Sequence, residues 1–384
     1  MHNADHLPAR TVPAAGAPAT VLLAPGERTP AERYDVALLD LDGVVYKGAA
    51  AVPGAVAALA QARAAGLRLA FVTNNASRSP SSVAEHLSAL GVPASGADVV
   101  TSAQAAASLI AARFPAGSAV LVVGAIALRL ALRERGLRPV SVAAERPVAV
   151  VQGYTPDLSY GLLTEAVLAV RAGALYIASN ADPTLPTARG LQPGNGSLLQ
   201  VVITATGVRP VVAGKPEPPL HAEAMARTGA ARPLVVGDRL DTDIEGAVRG
   251  GADSLLVLTG VSTPLDAVLA PAGQRPTYLA AGLAGLLEPQ PAVGQRGSAG
   301  REPASAGSDG AGSLGGESGG GVFLCGGWEV RRAGDLVDGS APVTLSGSGA
   351  WIDGLRALCA AAWSAGQLTH GQVSAAVEAL GPPR

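Results

Sequence analysis

Residues 36–48 read VALLDLDGVVYKG, and this stretch decides the fold. Four apolar residues, Val36 to Leu39, run into two carboxylates one residue apart, Asp40 and Asp42, and the chain turns at once on Gly43. Side chains alternate along a strand, so Asp40 and Asp42 point the same way where the strand leaves its sheet. Ligands of open α/β sheets bind at those carboxyl ends. Two anions held that close repel each other unless a cation lies between them or one takes a proton. The stretch therefore predicts a metal or acid–base site, with hydrolysis of a phosphate as the first chemistry to consider.

Outward from it, strand and helix patterns alternate between Tyr34 and Leu287. Apolar runs at 67–73, 119–123, 147–152, 174–178, 210–213, 233–237 and 254–258 read as strands. Helical patterns separate them, and Ser79-Pro80 and Gly91 bracket one helix as N-cap, first-turn proline and C-terminal glycine. The alternation predicts an α/β fold with a mostly parallel sheet. The turn-rich run 179–197 reads as one long loop of the kind that carries function. Residues 1–33 read as a disordered arm, and the Gly/Ser/Pro-rich stretch 289–321 as a flexible linker. Segment 322–384 holds all three tryptophans and predicts one or two strands and two helices. About 60 residues make a small core, so this segment is expected to dock on the main body or on another subunit.

Composition removes several classes of function. The net charge of −2 and the lack of a long basic run argue against nucleic acid or an anionic membrane as partner. No run of 18 charge-free apolar residues predicts a membrane span, and the N-terminus lacks the pattern of a signal peptide. Two cysteines, Cys325 and Cys359, make no disulfide framework and have no metal-ligand spacing. The expectation is a soluble cytoplasmic protein. Of 28 basic residues only Lys47 and Lys215 are lysine, so a lysine here marks a place for a compact point charge or a chance survivor of arginine-rich composition.

Four short motifs follow strands in order: Asp40-Leu41-Asp42-Gly43, Thr73-Asn74-Asn75, Gly214-Lys215-Pro216, and GDRLDTD at 237–243. Each alone has an ordinary explanation as a turn, an Asx cap or an acidic helix start. Together they offer carboxylates for a hard cation, a hydroxyl and amides for phosphate oxygens, and one ammonium. The five histidines stand away from every motif in sequence, which disfavours a Ser/His hydrolase.

The ordered set resembles the haloacid dehalogenase superfamily of phosphatases, and within it the class of NagD-like, 4-nitrophenylphosphatase and pyridoxal-phosphatase enzymes. The run SNADPTLPTARGLQPGNGSL, between the second and third motifs, is similar to that class's cap signature. The resemblance implies a Rossmannoid parallel sheet (34–115 and 209–288) with an inserted α/β cap of the C2 type (116–208) and a small C-terminal α+β appendage. It implies Asp40 as nucleophile and Asp42 as general acid and base. Mg²⁺ would be held by Asp40, the Asp42 main chain and Asp238, with Asp243 as outer support. Thr73, Asn74 and Lys215 would bind the phosphoryl oxygens, beside Gly43, and Asn75, Tyr154 and Asp182 would face the leaving group. Leu185 stands where a histidine is expected in the pyridoxal-phosphatase branch, which favours a small aliphatic ester. Linker plus Trp-containing C-terminal segment look like the layout of actinobacterial glycerol-3-phosphate phosphatases. Phosphoglycolate, pyridoxal phosphate, sugar phosphates and nucleotides stay open as substrates, as does a mutase. A non-catalytic scaffold is the distant alternative. The expected partner is a small phosphorylated metabolite, with a homo-oligomer formed through the cap or C-terminal domain.

Overall fold

The computed structural model describes residues 27–187, 189–297, 321–332, 342–364 and 368–382. Its central sheet has six parallel strands in the order Tyr278–Ala280, Asp253–Val257, Pro233–Gly237, Val36–Leu39, Arg68–Thr73, Val99–Thr101. The first strand, Val36–Leu39, lies in the middle. The chain winds outward from it on one side, then returns to build the other, so Asp40 leaves the sheet at the point where strand order reverses. The strand is buried on both faces, as parallel sheet requires: Ala37 and Leu39 join one apolar cluster, Val36 and Leu38 another. Leu69 and Phe71 against Ala70 and Val72 repeat the alternation next door. Each fully buried Leu or Phe contributes about 1.5–3 kcal/mol, which fixes register where one residue of slip would exchange the faces.

A second sheet of five parallel strands is inserted in sequence between the two halves of the first, in the order Val211–Val212, Leu175–Ala178, Ala149–Gln152, Ala119–Val123, Arg138–Val140. It is no loose lid. Val120, Val122, Val151 and Ile177 of this cap share one apolar cluster with Val36, Leu38, Val72 and Val235 of the core, through the helix Ser102–Ala111. Helices Tyr160–Arg171 and Asn195–Thr206 cover its other face.

Residues 210–213, assigned to the core by sequence, belong to the cap: Val211 and Val212 pair with Ile177 and Ala178. Two valines suit either sheet, so pattern alone could not choose between them. The run 179–197 is not one loop, since Thr184–Thr187 and Gly190–Pro193 form an antiparallel hairpin within it. The disordered arm is corrected at its end, where Thr29 caps the helix Pro30–Arg33 with Ala31 buried; residues 1–26 lie outside the described residues.

The C-terminal domain is a four-stranded antiparallel sheet, Gly294–Gly297, Gly321–Cys325, Trp328–Arg332, Val343–Gly347, with helices Trp351–Ser364 and His370–Leu380. Its first strand comes from what composition marked as linker; residues 298–320 lie outside the described residues. The domain docks on the core of its own chain, where Phe323, Leu355, Leu358 and Trp363 share a cluster with Leu240, Leu256, Val268 and Leu279. Among the described residues no helix is long and apolar enough to cross a membrane.

Candidate active site

Three neighbouring core strands end at one cavity of about 580 Å³, roofed by the cap. Val36–Leu39 delivers Asp40, whose amide donates to Val236 O at 2.8 Å and so extends the ladder by one residue. Arg68–Thr73 delivers Thr73, and Pro233–Gly237 delivers Asp238. Lys215 arrives from the end of the cap strand Val211–Val212 instead of from the core. Gly43 carries a φ of 85°, and a Cβ there would lie 2.5 Å from Asp238 Oδ2. Only glycine lets the first acidic turn pass the second that closely. Gly43 thus shapes the floor and is not among the residues lining the cavity.

The electrostatics centre on Lys215, 4% exposed. Its Nζ donates to Asp40 Oδ1 at 2.5 Å, to Asp243 Oδ1 at 2.7 Å and to Val72 O at 3.2 Å. Burial works against its charge, but Asp243 and Asp40 more than reverse that and hold the ammonium protonated. One ammonium does not balance three carboxylates. Asp40, Asp238 and Asp243 have oxygens within 4.8 Å of one another. Burial and then Asp243 push Asp238 up to about 6, and burial raises Asp40 above its ordinary value, opposed by Lys215. Asp238 Oδ2 accepts from Val261 N at 2.7 Å, while its Oδ1 is buried without a partner. A cluster short of positive charge, with an orphaned carboxylate oxygen facing its neighbours, fits a hard divalent cation.

Asp42 stands inside the cavity walls but reaches solvent. The walls raise its pKa; Arg78, then Lys215 and His86, oppose the rise. A carboxyl poised in that way serves proton transfer better than one locked in an ion pair.

Asparagines join core to cap. Asn74 Nδ2 donates to Asp182 Oδ2 and to Lys215 O, each at 3.1 Å, and its Oδ1 accepts Lys215 N at 2.8 Å. That side chain is consumed in fixing the lysine loop against the cap, which leaves no side-chain donor for a phosphoryl oxygen. Asn180 Nδ2 reaches Asn74 O at 2.7 Å, and buried Asn195 donates to Asn180 O at 2.7 Å. Thr73 Oγ1 accepts Asn75 N at 3.1 Å, and Asn75 Oδ1 accepts from Ser77. Thr73, Asn75, Tyr154, Asp182 and Leu185 line the cavity with Asp40, Asp42, Lys215 and Asp238.

This layout is shared with known proteins. The model of the haloacid dehalogenase-like hydrolases matches residues 37–138, that of the HAD-hydrolase-like proteins residues 212–286. A D-glycerol 3-phosphate phosphatase of Mycobacterium tuberculosis is 54% identical over 249 residues, which span 65% of this chain and 70% of the relative. The chain belongs to the haloacid dehalogenase-like hydrolases. The crystal structure of a glycerol phosphate phosphatase from the same organism in complex with magnesium superposes with a TM-score of 0.76 at 42% identity. That match covers 92% of this chain and 99% of the other. Among other relatives, the 5'-nucleotidase YutF of Bacillus subtilis is 39% identical over 60% of this chain and 89% of its own. The 4-nitrophenylphosphatase of Thermotoga maritima superposes with a TM-score of 0.62 at 30% identity, over 67% of this chain and 98% of its own. Residues 325–381 match a GCN5-related N-acetyltransferase like domain, which sequence reasoning did not identify.

Within this hydrolase fold two histidines stand nearer the site than their sequence positions implied. His86 lines the cavity and meets Tyr46 edge-on at 4.9 Å, brought there by the helix Pro80–Ala89. His221 is 3% exposed and packed against Gly246. Burial, and then the charge of Lys215, lowers it to about 4, so it stays neutral. Sequence reasoning also passed over Arg78, Arg239 and Thr242 as lining residues. Arg239 could have been noticed inside the GDRLDTD motif; Arg78 carries no local signal.

Proposed function

We propose that this chain is a Mg²⁺-dependent phosphatase of small phosphate monoesters, with glycerol 3-phosphate as its substrate. The supporting observation is the extent of the likeness: the Mycobacterium tuberculosis structure matches through the C-terminal domain, whereas the Thermotoga maritima enzyme matches about two thirds of the chain. Asp40, Asp238 and the Asp42 carbonyl would hold Mg²⁺, with Asp243 in support. When bound, the ion offsets repulsion between the carboxylates and the phosphate dianion.

Asp40 Oδ attacks phosphorus in line, the P–O bond to the alkoxide breaks, and an aspartyl-phosphate forms on Asp40. Asp42 gives its proton to the departing alkoxide, then takes one from the water that hydrolyses the acyl phosphate, which frees the Asp40 carboxylate. Lys215 stays charged throughout and faces the transferring group, so its field is already in place as charge builds on the phosphoryl oxygens. Thr73 contributes its hydroxyl at the same end. The cap, seated on the core by a shared apolar cluster, keeps Asp182, Tyr154 and Asn75 around the leaving group and limits water.

A phosphate-release screen over glycerol 3-phosphate, phosphoglycolate, pyridoxal phosphate, a hexose phosphate and a mononucleotide tests the substrate. Glycerol 3-phosphate is expected to lead in kcat/KM by about tenfold, the equivalent of ~1.4 kcal/mol in the transition state. A nucleotide or sugar phosphate in first place would overturn that assignment and leave the chemistry standing.

The crowded carboxylates also predict a pH effect. Asp238 rises in the fold from 3.8 to about 6, so the stability its protonated form contributes is lost as pH climbs through that window. A cation replaces the proton and restores it. Thermal melting with and without Mg²⁺ is therefore expected to show a larger gain at about pH 7.5 than at about pH 5. A larger gain at the acid end would contradict the assignment of Asp238 to the metal.

A further inference from the structure

The C-terminal domain lies behind the loop that carries Asp238 and Asp243. Leu240 and Ile244 sit in the π-type turn Leu240–Ile244 that runs between and just past those carboxylates. Both are buried in one cluster with Phe323, Val330, Leu355, Leu358 and Trp363.

The second segment that grips Asp238 is held from the same side. Val261 N and Ser262 N donate to Asp238, and Ser262 Oγ accepts Leu240 N at 3.1 Å. Thr263 then caps the helix Pro264–Val268, where Ala267 O accepts Trp363 Nε1 at 3.3 Å and Val268 enters the cluster. The Arg275 guanidinium lies 5.6 Å from the Trp363 ring centroid and donates to Trp363 O at 3.2 Å. Arg356, 3% exposed, reaches Leu279 O at 2.7 Å on the adjoining edge strand.

The domain's own glycine-rich turn is filled by the chain. A Cβ on Gly349 would stand 2.0 Å from Gly326 O, one on Gly327 2.4 Å from Ser348 O, and Trp328 Nε1 donates to Ala350 O at 3.0 Å. These glycines serve close packing of the hairpin on the helix start.

We propose that the C-terminal domain is a buttress that sets the divalent-cation affinity of the Asp238–Asp243 loop, with Trp363 as a positioning residue. Metal ligands depend on groups behind them for orientation, and loss of such support costs about 10- to 100-fold in affinity. The domain packs against both segments that orient Asp238, so loosening its contact with the core, as distinct from its own interior, lets the carboxylate rotate off the ion without altering any group that touches substrate. The proposal rests on the reading of Asp238 and Asp243 as cation-site residues.

Calorimetric titration of Mg²⁺ into the full chain tests it, with Trp363→Ala at the interface and Val343→Ala inside the domain, on the strand paired with Trp328–Arg332. Trp363→Ala is expected to weaken Mg²⁺ binding by about tenfold and to raise the Mg²⁺ needed for half-maximal rate, with kcat at saturating Mg²⁺ retained. Val343→Ala is expected to lower the melting temperature while keeping wild-type Mg²⁺ affinity. Unchanged affinity in Trp363→Ala, or equal weakening in both variants, would overturn the buttress. A wild-type chain that binds no Mg²⁺ would instead overturn the cation reading beneath it.

Discussion

Asp40→Asn is expected to lower kcat by about 10⁴-fold or more, because the amide keeps the shape of the side chain and loses the nucleophile. The same substitution removes one of three mutually crowded carboxylates, two of which share a single ammonium. Lys215 keeps its bond to Asp243 Oδ1 at 2.7 Å and to Val72 O at 3.2 Å. In Mg²⁺-free buffer the variant should therefore melt at the wild-type temperature or above it, since a site arranged for chemistry carries charge repulsion that the inactive form sheds. Steady-state phosphate release and a thermal melt on one preparation check both halves. An inactive variant that is also strongly destabilised would mean that Asp40 mainly supports the fold.

Lys215→Met should act on both quantities in the same direction. The ammonium is buried between Asp40 and Asp243, and its removal leaves two carboxylates that water reaches poorly. Loss of one partner from a buried ion pair costs about 3–5 kcal/mol. Mg²⁺ should recover part of it by supplying positive charge. Without the ammonium the phosphoryl oxygens lose a fixed donor in a water-poor site, for which about a 10²–10³-fold fall in kcat is expected. Lys215→Arg should not rescue activity, although arginine is the usual cation of this chain. A planar fork cannot replace a compact ammonium among the Asp40, Asp243 and Val72 oxygens. Chemical denaturation with and without Mg²⁺ measures the first effect, and kcat of the two variants the second.

The parts of this site that were legible in the sequence are those encoded within one strand and the turn after it. An apolar run ending in Asp40 and Asp42 states both the strand and the carboxylates at its end, and PLVVGD does so for Asp238, and all three line the cavity. Lys215 stood out because lysine is rare here, though the sheet that delivers it did not, because Val211 and Val212 suit core and cap equally. Residues that reach the cavity through the packing of separate elements left no local mark. His86 depends on how the helix Pro80–Ala89 meets Tyr46. Asn74 reads as a phosphate ligand from its place after the strand, and the three side-chain bonds it makes to Asp182 and the Lys215 backbone join residues too far apart in sequence to leave a local mark. The strand Gly294–Gly297, reading GQRG, has no apolar alternation at all and owes its pairing to Gly321–Cys325.

The central claim is that Asp40 is phosphorylated during turnover, and trapping that adduct tests it most directly. The enzyme, mixed with glycerol 3-phosphate and Mg²⁺, is quenched in acid within the first turnover, reduced with borohydride and digested for peptide mass spectrometry. An acyl phosphate is reduced to the alcohol, so the peptide spanning Val36–Lys47 should carry homoserine at position 40, and only when both substrate and Mg²⁺ are present. An unmodified Asp40 under conditions of full turnover, or homoserine at another carboxylate, would contradict the account.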